Sequence, residues 1–188
     1  MDYDLRRVAV VGTSCSGKTT LSRCLAQLLD IPHVELDAIY WKPNWVNRPP
    51  EEFRPLAQEA LMGEHWVVDG NYAVARDIIW GQATAVIWLN YSFPRVMWRA
   101  LYRTIKRSVT QQELFSGNRE TLRKAFLTRD SILLWVITSY RRNRRGYRAS
   151  FDQREFPHLQ TIELKKPSDA DQLLQSLESA VRKQKGEG

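Results

Sequence analysis

The chain has 188 residues, 43% hydrophobic and 26% charged, enough for one domain with a buried core and too evenly composed for a disordered or fibrous protein. Its net charge of +7 is unevenly spread: residues 95–148 hold 14 basic side chains against Glu113, Glu120 and Asp130, so this stretch carries +11 and the rest −4. No apolar run reaches the roughly 18–20 residues that cross a bilayer, and the opening Met1-Asp2-Tyr3-Asp4 lacks the basic-then-apolar order of a signal peptide, so a cytoplasmic protein without a membrane segment is expected.

Arg7 to Val11 is a β-branched run that stops at Gly12, the pattern of a buried strand entering a turn. From Lys18, Leu21, Cys24, Leu25, Leu28 and Leu29 recur three and four apart, predicting a helix to about Asp30, before Pro32. A strand over His33–Leu36 leads into Asp37, and Pro43, Pro49 and Pro50 punctuate an aromatic loop. A helix is predicted over Glu51–Met62, a strand over Trp66–Val68 ending at Asp69-Gly70, and another strand over Ala85–Leu89. Pro94 opens a helix to Arg107. The stretch 108–118 is polar and irregular, and a long helix follows over about 119–145, with a break near Thr128. Leu159–Leu164 is the last strand, and Ser168 caps a final helix to about Lys183. Trp66, Trp88, Trp98 and Trp135 fall on predicted strands or helices and are expected in the core.

Strands alternating with helices predict an α/β fold whose parallel sheet is covered on both faces. Right-handed crossovers put the ends of the strands along one edge, where Gly12, Asp37, Asp69 and Asn90 gather. Gly12-Thr13-Ser14-Cys15-Ser16-Gly17-Lys18-Thr19 matches GxxxxGK[ST] between a strand and a helix, as a phosphate cradle requires. The glycines let successive N–H groups turn inward, and the helix start adds its positive dipole end. ATP is therefore the expected ligand of Gly12, Thr13, Ser14, Cys15, Ser16, Gly17, Lys18, Thr19 and Thr20. Lys18 reaches the β- and γ-phosphates, and the Thr19 hydroxyl ligates Mg²⁺.

Magnesium at such a loop needs a carboxylate at the end of a neighbouring strand. Asp69 is the first candidate and Asp37 the second, against the alternative that each is an ordinary turn aspartate. Tyr40, Trp41 and Trp45 either stack on an acceptor or plug the gap between sheet and helices; the spacing leaves both open. Phosphoryl transfer gathers negative charge that guanidinium forks stabilise. Arg99, Arg103 and Arg107 share a helix face, and Arg141, Arg142, Arg144, Arg145 and Arg148 end the long helix. Most are expected to form a solvated surface; Arg103, Arg107, Arg141 and Arg145 are the catalytic candidates, and Arg76 a candidate for an anionic group of the acceptor. His33, His65 and His158 are scattered, as surface or locally bonded imidazoles are. Cys15 is either a small filler of the loop or an oxidisable thiol, and Cys24 is expected in the core.

The loop, Leu36-Asp37-Ala38-Ile39-Tyr40-Trp41, Trp45 and Asp69-Gly70-Asn71-Tyr72 together resemble the bacterial topology-modulation proteins, adenylate-kinase-like P-loop NTPases. The resemblance runs from Val8 to the last strand. It implies a three-layer sandwich with a five-stranded parallel sheet of nucleoside-monophosphate-kinase type, in a single domain over 1–188. It further implies an acceptor-binding region over about 37–65 and an arginine-rich helical lid over about 103–148. It puts Asp69-Gly70 in the place of the Asp-Gly of the DGFPR motif of adenylate kinases. Asn71 and Tyr72 follow without that motif's phenylalanine, proline and arginine, and the next arginine is Arg76, so AMP is not carried over as acceptor. Asp37, Trp41, Trp45, Asn71, Tyr72 and Arg76 are the expected acceptor contacts.

The leading expectation is an ATP- and Mg²⁺-dependent small-molecule kinase in which Asp37 positions or deprotonates the acceptor. The rivals are a nucleotide-regulated DNA-binding protein using the basic 95–148 segment, as the family name suggests, and an NTPase without an acceptor. The acceptor and the oligomeric state are not written in the spacing.

Overall fold

The computed structural model describes residues 3–110, 115–117, 132–184 and 186. Val8, Ala9, Val10 and Val11 are buried in β1 (Arg7–Gly12). α1 (Lys18–Leu29) follows and ends at Asp30, in the left-handed conformation with its N–H donated to the Ala26 carbonyl. Next come β2 (His33–Glu35), the short helix α2 (Leu36–Tyr40), and a hairpin of β3 (Trp41–Lys42) and β4 (Val46–Asn47). Then follow α3 (Pro50–Ala60), β5 (Trp66–Asp69), α4 (Arg76–Gln82), β6 (Ala85–Leu89) and α5 (Phe93–Thr110). After the one-turn 3-10 segment Phe115–Gly117 come α6 (Ile132–Asp152), β7 (Gln160–Leu164) and α7 (Pro167–Gln184). Among the described residues no helix is long and apolar enough to cross a membrane.

The five predicted strands form one parallel sheet in the order β2-β5-β1-β6-β7. Side chains alternate across β1, so its residues divide between two apolar layers. Val8 and Val10 pack with Leu21 and Leu25 of α1, Ala100 of α5 and Leu173 of α7. Ala9 and Val11 pack with Phe53 and Ala57 of α3 and Ile79 and Trp80 of α4. A central strand covered on both faces must be apolar throughout, which is why the run Val8–Val11 carries no polar residue. α6 serves both layers: Val136 and Tyr140 belong to the first, Tyr147 to the second. β1 lies between β5 and β6, with Val10 opposite Asp69 and Gly12 opposite Leu89, so both strands end beside the turn after β1.

Several elements depart from expectation. β2 stops at Glu35; Leu36, buried, begins α2, so Asp37 sits in the first turn of a helix. The aromatic loop folds into the β3–β4 hairpin because Asn44 (φ 63°) and Trp45 (φ 59°) turn left-handed in succession, the geometry of a tight hairpin turn. α4 was not foreseen from the sequence. α6 runs on to Asp152, so Arg141–Arg148 lie inside it rather than at its end. α7 starts at Pro167, and the cap of its entry is Asp169, not Ser168: Asp169 Oδ2 accepts the N–H groups of Lys165 (2.9 Å) and Lys166 (3.1 Å). Trp66 and Trp88 are core residues, but Trp98 and Trp135 are 70% and 50% exposed. Trp98 lies opposite the inward-facing Val96, Ala100 and Thr104 of α5, and Trp135 carries the Arg142 guanidinium 5.3 Å from its ring. The start of the expected 119–145 helix and its break near Thr128 lie outside the described residues, as do 111–114 and 118 of the expected irregular stretch; 108–110 instead continue α5, and 115–117 form the 3-10 turn.

Candidate functional site

Two glycines shape the turn between β1 and α1. Gly12 has φ 150°, and a Cβ there would meet the Leu89 carbonyl at 2.8 Å and Ser16 Oγ at 2.9 Å. Gly17, φ 102°, precedes the first turn of α1, and neither a side-chain cap nor an acidic residue occupies that helix start. Its first N–H groups therefore face the loop uncapped, as an anion site at a helix start requires. Ser16 is buried, and its hydroxyl has no hydrogen-bond partner among the described residues. A buried orphan donor, uncapped amides and a close-packed glycine turn fit a polyphosphate. Thr13 is buried and Ser14 half-buried in this turn, and Thr20 is exposed on α1. Cys15 takes φ 65° and packs against the first apolar layer; Cys24 is half-buried.

Lys18 bends back over the loop and donates from Nζ to the carbonyls of Gly12 (3.1 Å) and Thr13 (3.3 Å). Burial lowers its pKa; the charges of Asp37 and Asp69 oppose that shift, and Arg103 adds to it. Asp37, Asp69 and Arg103 thus each lie within electrostatic reach of Lys18. Thr19 Oγ1 donates to Asp69 Oδ2 at 2.5 Å and lies 3.3 Å from Glu35 Oε1. Glu35 and Asp69 are register partners at the ends of neighbouring parallel strands, and both aim at the same hydroxyl. Among the described residues no three His, Cys, Asp or Glu side chains form an all-protein metal cage. Magnesium on a nucleotide needs only one or two carboxylates beside phosphate oxygens, and this hard-oxygen set suits it.

Around Asp37, the Tyr72 hydroxyl donates to Asp37 Oδ1. Burial foremost, then the Asp37 charge, pushes the Tyr72 pKa up, so it stays a protonated donor. Tyr72 packs on Tyr40 and Phe53 with ring centroids 4.5 and 4.9 Å apart. Trp41 packs edge-on against Tyr40 (5.0 Å) and Trp45 (5.5 Å). The aromatic residues thus fill a hairpin and helix corner by packing on one another, with Trp41 and Trp45 half-buried. Ser116 Oγ donates to the Trp41 carbonyl at 2.7 Å, bringing the 115–117 turn onto that hairpin.

Asn71, expected at the acceptor, is engaged with the phosphate loop. Its Oδ1 accepts the Gly12 N–H (3.3 Å) and the Tyr147 hydroxyl (2.8 Å), and its Nδ2 donates to the Gly12 carbonyl. Arg76 donates to Ser150 Oγ at 3.3 Å and lies over the rings of Trp80 (5.1 Å) and Tyr147 (5.8 Å), in a crevice lined by Leu36, Gly70, Asn71, Tyr72 and Tyr147. Arg103 is half-buried, and its Nε has no hydrogen-bond partner among the described residues. Arg107 is half-buried one turn on, and Arg141 and Arg145 are exposed on α6.

Four residues join the site that the sequence reading did not select. Glu35 shares the Thr19 hydroxyl, and His33 bonds Asp69. Arg99 donates from Nη1 to the Ser16 carbonyl at 2.9 Å, its guanidinium lying 3.3 Å from where a Gly17 Cβ would sit. Tyr147 ties α6 to Asn71. Arg99 carried a signal, the four-residue spacing to Arg103; the carboxylate pair follows only from sheet order, since β5 joins β2 after an intervening 30 residues. His65 is exposed, and His158 bonds the Trp80 carbonyl at 3.1 Å, as bland histidines would.

No protein-family model and no curated protein matches the sequence. Solved structures do. Shikimate kinase from Acinetobacter baumannii in complex with shikimate is 20% identical, covers 97% of this chain and 96% of its own, and has a TM-score of 0.55. Shikimate kinase from Bacteroides thetaiotaomicron is 16% identical, covers 94% and 98%, and scores 0.54. A gluconokinase from Sinorhizobium meliloti 1021 is 14% identical, covers 97% and 94%, and scores 0.53. The fold is the one these P-loop kinases share. At such identities the likeness carries the architecture and leaves the chemistry to the side chains.

Proposed function

We propose that this chain is an ATP-dependent kinase of a small hydroxyl-bearing acceptor. One observation carries the reading: Asp37, its Oδ1 held by Tyr72, stands within electrostatic reach of Lys18 in the phosphate turn, so a donor cradle and an acceptor carboxylate share one edge of the sheet. The similarity to kinases of small polyhydroxy acids supports it at the level of fold.

In this reading the amides of residues 12–19 and Lys18 bind the ATP tail, and Arg99 braces the turn from behind. Thr19, Asp69 and Glu35 would hold Mg²⁺, which supplies charge neutralisation between the β- and γ-phosphates. The acceptor sits against residues 37–65, its hydroxyl donating to Asp37. That oxygen attacks the γ-phosphorus; the new O–P bond forms as the bond to the β–γ bridging oxygen breaks, ADP leaves, and Asp37 takes the hydroxyl proton. Arg103, whose Nε has no partner among the described residues, and Arg107 offer positive charge to the transferring group, and Arg141 and Arg145 bring theirs from the lid region 103–148. Arg76 faces an anionic group of the acceptor.

An assay of ADP release across a panel of sugar acids, polyols and nucleosides tests this. ADP formation is expected to depend on one acceptor class, and Asp37→Asn to lower it by roughly 10²-fold or more while ATP still binds. ADP released at one rate whatever is added would instead mark an NTPase without an acceptor, and ADP release stimulated only by duplex DNA would mark the nucleic-acid reading.

A further inference from the structure

His33 is the unexpected neighbour of the metal-facing carboxylate. It opens β2, the edge strand, paired with β5 at Val67, and its Nε2 lies 3.1 Å from Asp69 Oδ1. Both groups are largely withdrawn from water: the imidazole is 15% exposed and the carboxylate 4%. An ionised carboxylate only accepts, so Nε2 carries the hydrogen and donates. The other oxygen, Oδ2, receives the Thr19 hydroxyl at 2.5 Å. Asp69 is therefore held at both ends, one oxygen by the edge strand and one by the first turn of α1. Its plane cannot rotate without leaving a buried acceptor unpaired, which is costly.

We propose that His33 is a positioning residue: by holding Asp69 Oδ1 it keeps Oδ2 on Thr19, so that the Thr19 oxygen presents its lone pairs to the cation of a bound nucleotide. The inference rests on the reading of this loop as a Mg²⁺·ATP cradle. A hydrogen-bonded support behind a ligating carboxylate tunes metal affinity more than it tunes fold. Glu35 lies farther from that hydroxyl, 3.3 Å against 2.5 Å for Asp69, and Arg23 holds its other oxygen at 3.2 Å.

The test compares the full-length wild type with His33→Leu, which keeps bulk and removes the donor, and His33→Gln, whose amide N–H reaches the place of Nε2. Mn²⁺ serves as the metal probe, read by electron paramagnetic resonance in the presence of ATP; ATP affinity without metal is read separately in EDTA by calorimetry. His33→Leu is expected to weaken Mn²⁺ about 10-fold and His33→Gln by less than about 3-fold, with metal-free ATP binding the same in all three. Equal Mn²⁺ affinity in wild type and His33→Leu overturns the proposal. So does an equal loss in both variants, which would assign the effect to packing. If His33→Leu does not fold, His33→Asn, too short to reach Oδ1, takes its place with the same expected loss. The underlying cradle reading fails on a different result: wild-type protein that binds no ATP, or binds it no tighter with metal than without.

Discussion

Lys18 pays a folding cost for its position. Burial lowers its pKa, so the unfolded chain holds that proton more tightly than the folded one, and the charged side chain works against stability at neutral pH until an anion arrives. Lys18→Met should therefore raise the melting temperature of the ligand-free protein while ATP turnover falls by roughly 10³-fold or more. Thermal melts and ADP release check both halves, and a variant that melts lower than wild type contradicts the burial argument. At this scale the sequence told half the site. Lys18 and Thr19 were legible as candidates because the loop motif is contiguous, and Asp69 because it ends a readable strand. Glu35 and His33 were not, and Arg99 showed only its helix face: their partners Thr19, Asp69 and Ser16 lie 16, 36 and 83 residues away, and no local pattern reports such pairings.

Among elements, α3 and α4 are clasped by Arg54, which forks onto Asp77 with two bonds of 2.8 Å and reaches the Val74 carbonyl. Arg54 pulls the Asp77 carboxyl from 3.8 to about 2. A lowered carboxyl pKa adds stability that is complete above the unfolded value and is lost as pH falls through the folded one. Asp77→Asn should accordingly melt lower than wild type at pH 6, by a small margin because the pair is exposed, and the two should converge only as pH falls below about 2. Melting curves that stay equally separated across that range would contradict this. The five strands were readable because a buried parallel strand is a short β-branched run, whereas α2 was hidden inside the end of such a run and α4 had no periodic stretch long enough to register. Trp98 and Trp135 show the limit of reading burial from residue type alone: helix face decides it.

For the whole molecule, the strand order places Glu35, Asp69 and Gly12 at the ends of three adjoining strands, β2, β5 and β1. That edge is where open α/β sheets hold ligands, and Arg99, bonded to the Ser16 carbonyl, and Arg103, which acts on Lys18, bring positive charge to it. The architecture is shared with small-molecule kinases; in the proposed reading the acceptor is selected at the corner around Asp37 and Tyr72. The account stands on the turn from Gly12 to Thr19 gripping a metal-bound triphosphate. Calorimetric titration of the full chain with Mg²⁺·ATP measures that grip. Saturable one-to-one binding that weakens when magnesium is withheld is the predicted result; no heat at millimolar Mg²⁺·ATP would contradict it.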